Sequence, residues 1–461
     1  MSRRISSRSS ASPGIVAVVA CLALAITAWE AFAICGGGRG IRQAVGGVWI
    51  NADGLLSNAE PDMLDQLRQV RAKALKEIPG DLNQPSELRK VSLRKLEEAI
   101  SEQLKSGKAL PIEMRVLAGL QRIRYVFVYP EQNDIVLAGY GEGWKIGPKG
   151  NVIGATNGRP VMMLDDLLVA LRTAKRDPGG NITCSIDPTQ QGLKRLREFV
   201  GTLQVMGDPN ATIRSVEQVL GPQMITVGGV PDSSHFARVL VAADYRMKRI
   251  GMNFEEAPVR GLVSYIDMLP SSSGRGMQNV TPRWWMVPKY EPLLTGDGGL
   301  AWELRGASVK TMTEDTFFGT DGAKAQTGKT SSIAQRWADM MTEKYEELSA
   351  KEPIFGELRN CMDMAVVSTL IVREQLATKA KHSFSLLYDA ADLPAEEYDV
   401  PKQTDSKASS LKKGSNWIIT ASGGVEIQAA QVVEKREKSE SLEPTRQQAA
   451  AQPTSKSWWW N

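Results

Sequence analysis

The sequence predicts a mixed α/β (α+β) fold, with two α/β units, strand-rich connections and a C-terminal antiparallel helical hairpin. Three observations carry that expectation. β-Branched and aromatic runs such as Tyr125–Tyr129 and Ile182–Ile186 read as strands. Between them, apolar residues recur at helical spacing, and the longest such repeat runs over 332–380. The 461 residues are 42% hydrophobic and 23% charged, an ordinary globular mixture. At about 150 residues per domain, that length suggests two or three folded units.

In chain order, residues 1–33 read as an export signal and not as part of the fold. Arg3, Arg4 and Arg8 precede the apolar run Ile15–Ala28, and Ala31-Phe32-Ala33 supplies the small-x-small cleavage pattern. The run is short of the roughly 18 residues that a membrane span needs, so cleavage near Ala33 and delivery to the periplasm or envelope are expected. An uncleaved anchor is the alternative. Ser2-Arg3-Arg4 opens as a twin-arginine signal does, but Ser6 and Ser7 stand where that signal prefers apolar residues. Cys21 resembles a lipoprotein site, yet it falls inside the apolar run.

Residues 34–120 form an N-terminal region. Val48-Trp49-Ile50 and Leu55-Leu56 flank the turn Asn51–Gly54, and helices are expected over 61–77 and 86–106. A first α/β unit spans 121–205: a hairpin at 125–139, a helix near 164–175, a strand at 182–186 and a helix over 189–203. A second unit spans 206–330. There the strand Met224–Val227 leads to a helix with Asp232 or Ser233 as its cap and Phe236, Val239, Leu240, Ala243 and Met247 as its apolar stripe. Ser271–Gly276 reads as a connection.

The helical hairpin occupies 331–400, with Trp337 and the methionines as seam packing. From 401 to 461 the composition turns polar. One hairpin, Trp417–Thr420 with Val425–Gln428, is expected before disorder over 434–461. Trp458–Trp460 reads as a docking tag or an adventitious tail.

Composition excludes several functions. Lys and Arg count 56 against 52 acids, a net charge of +4, too balanced for a dedicated nucleic-acid binder. Only two histidines, His235 and His382, leave little for zinc or histidine chemistry, and no metal is expected. After signal removal Cys35, Cys184 and Cys361 remain; an odd number leaves at least one unpaired, and buried thiols are the expected state.

The candidate sites are few. Ala323–Thr330 imitates a phosphate loop through Lys329 and Thr330, but no apolar strand precedes it and Ala323 replaces a glycine. It reads as a polar loop before a helix, so no cofactor is expected. Gly139–Trp144 is a tight turn whose Glu142 and Trp144 could hold a small ligand or sugar. Asp232 and His235 sit at a strand's carboxyl end and are the candidate acid/base pair, with Arg238 or Arg246 supplying positive charge.

Three segments, Ile182–Pro188 (ITCSIDP), His235–Lys248 (HFARVLVAADYRMK) and Ala334–Thr342 (AQRWADMMT), resemble a family of exported bacterial proteins known as a domain of unknown function. The resemblance extends over about 45–430. It implies bacterial origin and export, and it brings no activity or site residue with it. The expectation is therefore a non-enzymatic structural or binding component of the cell envelope, with an envelope protein or glycan as partner and no span in the mature chain. The alternative is an envelope hydrolase using Asp232 and His235.

Overall fold

A computed structural model describes residues 44–75, 78–202, 208–269, 280–318, 324–326, 328, 330–411, 417–450 and 457–461. The expected signal, Cys35, the 271–276 connection and Lys329 lie outside the described residues.

The protein is mixed α+β. Its longer helices are α1 (Pro61–Ala74), α2 (Leu93–Lys105), α3 (Leu164–Arg176), α4 (Gln190–Thr202), α5 (Pro209–Leu220), α6 (His235–Gly251), α7 (Ser332–Glu343), α8 (Tyr345–Lys351), α9 (Pro353–Arg373) and α10 (Leu442–Ala449). One sheet runs in the order Val48–Ile50, Leu55–Asn58, Gln403–Thr404, Gln223–Gly228, Ile182–Pro188, Ser422–Ile427, Val280–Lys289, Ser308–Phe318, Lys324–Gln326. A second runs Arg436–Lys438, Leu293–Gly296, Ala301–Glu303, Tyr125–Tyr129, Asp134–Gly141, Ser86–Ser92, Trp459–Trp460, and two two-stranded sheets stand beside these. Most pairings are antiparallel, but Val280–Lys289 and Ser422–Ile427 run parallel, as connections through intervening helices allow.

Helix α9 is the spine. Every residue from Ile354 to Ile371 is buried, and α3, α6 and α8 pack against it. A helix enclosed on all sides has no single apolar stripe. Arg359, Asn360 and Asp363 are therefore buried with Leu358, Met362 and Val366, and each needs an internal partner. Pro353 fits at its first turn, where no backbone donor is lost from the ladder.

Several expectations change. The 86–106 segment divides into the strand Ser86–Ser92 and α2, and Ser92 caps α2 by accepting from Lys95 N–H at 3.0 Å. Its strand half pairs with Asp134–Gly141, a contact that local spacing does not reveal. The first α/β unit is split: its 125–141 hairpin lies in one sheet and Ile182–Pro188 in the other. Trp417–Ile419 pairs with Ser409–Leu411, while Ser422–Ile427 inserts between Ile182–Pro188 and Val280–Lys289. The expected disorder past 434 gives way to α10 and two edge strands, and Trp459–Trp460 pairs with Lys90–Val91. Among the described residues, no helix is long and apolar enough to cross a membrane.

A candidate site at a buried histidine–carboxylate centre

The starts of α3 and α6 and the second turn of α9 converge on one polar centre. Each helix begins with N–H groups that its own ladder leaves free, so its first turns favour negative charge. Asp165 and Asp166 occupy the first turn of α3 and Glu357 lies near the start of α9. Ser234 caps α6 by accepting from Ala237 N–H at 3.1 Å, so the cap is neither Asp232 nor Ser233. Asp232 is exposed just outside the helix.

His235, the first residue of α6, is the centre's cation. Its Nδ1 lies 2.9 and 3.0 Å from the two carboxylate oxygens of Asp166, and its ring sits 5.5 Å from that of Tyr398. The side chains are 15% and 5% exposed. Burial and a helix N-terminus both oppose an imidazolium, but Asp166 outweighs them by charge and hydrogen bond and holds its pKa up at about 9. Burial pushes the Glu357 carboxyl up to about 7, with His235 opposing and Asp166 reinforcing the shift. Cys361, one turn further along α9, is buried and unpaired, and burial pushes its thiol well up. Cys184 is likewise buried and unpaired.

The sequence pairs His235 with Asp232, whereas the structure sets its ring against Asp166. Asp166 comes from 69 residues away, and its only sequence signal is the acidic pair opening α3. Glu357 carries a clearer signal, a lone acid inside the apolar seam Ile354–Met362.

The remaining candidates point inward. Glu142 is fully buried, and its Oε1 accepts from Thr156 N–H at 3.1 Å and Asn157 N–H at 3.0 Å. Trp144 is also buried, so the pair presents no open aromatic face to a sugar. Arg238 is buried and donates to the Asp399 carbonyl at 3.1 Å, and burial lowers its pKa to about 10. Arg246 is held by the Gly46 carbonyl, Glu255 and Glu352. At the phosphate-loop imitation, Lys324–Gln326 forms an edge strand, Gly328 N–H donates to Glu314, and Thr330 donates to the Thr313 carbonyl. That strand replaces the expected plain loop and takes up the stretch before Gly328 that a phosphate cradle would need as loop.

Two surface depressions of about 680 and 730 Å³ lie along residues 250–267 and beside Glu97–Ser106; neither takes in His235, Glu142 or Arg238. Among the described residues, no group of three or more His, Cys, Asp or Glu side chains could hold a metal ion.

Fold and centre together define a mixed α+β protein organised round an internal ion-pair cluster. Residues 184–265 match the model of a family described as a protein of unknown function (DUF1598). The match covers α4, α5, α6 and their strands, includes His235, and leaves Asp166 and Glu357 outside. It takes in most of the ITCSIDP segment and all of HFARVLVAADYRMK, whereas Ala334–Thr342 lies beyond it. No curated protein and no solved structure matches the chain.

Proposed function

We propose that the chain is an exported, non-enzymatic component of the bacterial cell envelope that acts by binding or by structure, with an envelope protein or glycan as partner. The leader pattern of residues 1–33 and the near-balanced charge support the location. One observation carries the non-enzymatic part. His235 gives its Nδ1 to both oxygens of Asp166 and holds its proton with a pKa of about 9, far above that of a general base working at neutral pH. Fractionation of the producing cells with N-terminal sequencing tests the reading. A mature chain beginning near Ile34 in the envelope or periplasm is the expected result; intact Met1 on cytosolic material overturns it.

A second reading, an envelope hydrolase, draws support from Glu357. Its pKa of about 7 beside a histidine at about 9 is the kind of separation that acid/base catalysis uses. In this reading Glu357 replaces Asp232 as partner of His235. Glycan and peptide substrates screened against wild type, Glu357→Gln and His235→Gln decide it. Turnover abolished in both folded variants supports the hydrolase, and no turnover in the wild type supports the first reading.

A further inference from the structure

A second polar cluster lies on another stripe of α9. Gly356, Arg359, Asn360 and Asp363 fall at helical positions i, i+3, i+4 and i+7, so they share one face. That face meets the loop at 157–160. A Cβ at Gly356 would press on the Pro160 ring, and Asn360 donates to the Pro160 carbonyl at 3.2 Å. The close approach brings Arg159 onto the face, where Arg122 arrives from the segment before the Tyr125–Tyr129 strand.

The charges do not balance. Asp363 is fully committed: it accepts from Arg122 Nε and the Tyr290 hydroxyl, each at 2.6 Å, and from Ser308 at 3.0 Å. Glu346, on α8, is shared between Arg159 Nη1 at 2.6 Å and Arg359 Nη1 at 3.0 Å. Three guanidinium groups therefore face two carboxylates. Arg359 is completely buried, and its Nε and Nη2 have no hydrogen-bond partner among the described residues. Those two atoms form the side edge of the guanidinium, the pair of parallel N–H donors that grips a carboxylate or phosphate through two oxygens. Leaving buried charged donors unpaired costs at least about 1–3 kcal/mol, so an arrangement that keeps them calls for an anion.

We propose that Arg122, Arg159 and Arg359 form a binding site for an anionic group, a carboxylate or a phosphate, and that Glu346 is its internal competitor. Arg359 grips the anion by its side edge, and Arg159 closes over it from the rim. Glu346 and Arg159 have side chains 49% and 34% exposed, so both can swing toward solvent, whereas Arg359 is fixed in the spine. Glu346 holds Arg359 at Nη1 and not at its side edge, so the anion competes with Glu346 for Arg159. This site stands independently of the chain's cellular location and of the His235 centre.

Calorimetric titration of the full chain with inorganic phosphate and, separately, with succinate tests it, at ionic strength matched with chloride. At least one anion is expected to bind saturably. Glu346→Gln removes the competitor and should tighten binding about tenfold, the equivalent of one charge-assisted hydrogen bond of about 1.4 kcal/mol. Arg159→Gln should weaken it about tenfold or more. Arg159→Gln lies at the exposed rim and should preserve the thermal transition, whereas Glu346→Gln takes the counter-charge from buried Arg359 and should lower it, with saturating anion restoring it. Preference between phosphate and succinate identifies the oxygen geometry. The proposal is overturned if neither anion binds the wild type or Glu346→Gln, or if Arg159→Gln binds as the wild type does. A ¹⁵N spectrum in which Arg359 Nε stays unmoved at saturating anion would also overturn it.

Discussion

The His235–Asp166 contact fixes how the protein should respond to pH. His235 is raised from 6.5 to about 9, so its stabilisation is complete below about pH 6.5 and is lost as pH climbs through 9. Glu357 is raised from 4.5 to about 7, so its protonated form belongs to the folded state and its contribution fades between those values. Both act in one direction, and stability should fall from about pH 4.5 to pH 9, with a limiting slope of about 1.4 kcal/mol per pH unit for each proton. Glu357→Gln should flatten the fall below pH 7 and keep the fall above it, as denaturant melts across pH would record. Asp166→Asn removes the group that holds the imidazolium against burial, so its pKa, followed by NMR, should drop to 6.5 or below; a value still near 9 would assign the shift to another group. His235 stood out in the sequence because it opens a helix at a strand's carboxyl end. Asp166 did not, since spacing along one element says nothing of which helix start lies across from it.

Elements with a strong local rhythm were legible: α3, α4 and α6 and the 125–141 hairpin lie where apolar spacing places them, within one or two residues at most ends. Failures fall where a distant partner decides. Ser86–Ser92 has the charges of a helix but lies in a sheet between Asp134–Gly141 and Trp459–Trp460, and Ser422–Ile427 contains two glycines yet lies in the middle of a sheet. Those glycines are required by closeness, because a Cβ at Gly423 or Gly424 would run into the carbonyl of Trp284 or Cys184 on the neighbouring strands. The same dependence governs Trp459–Trp460. This pair covers the exposed edge of Ser86–Ser92, the Trp458 carbonyl accepts from Ser92 N–H at 2.9 Å, and Trp460 is buried with Phe127 and Tyr129. Asn461 accepts from Arg89 Nε at 2.9 Å. Trp460→Ala should cost about 3 kcal/mol through the cavity it leaves. Deleting 457–461 should bare an edge able to pair with another copy. Concentration-dependent association of the truncated chain, absent from the full one, is the expected light-scattering result.

At the scale of the whole molecule, the larger sheet draws strands from 48–58, 182–228, 280–326 and 403–427. One of its interior strands, Ser422–Ile427, is joined to Val280–Lys289 in parallel and to Ile182–Pro188 antiparallel. Cutting the chain at residue 400 would leave both neighbours with open backbone donors and acceptors in the middle of a core, where unmade hydrogen bonds are costly. It would also strip Arg436–Lys438 and α10 from the second sheet. Loss of one segment should therefore be felt in both sheets at once, and residues 1–400 should show no cooperative thermal transition. The complete chain should melt in one step by calorimetry and by tryptophan fluorescence alike. Its refolding should be slow, because pairings across more than a hundred residues must close before they stabilise anything. A 1–400 fragment that melts cooperatively near the full chain's midpoint would show the C-terminal strands to be an accessory layer. It would also return the molecule to consecutive units of the kind its sequence suggests.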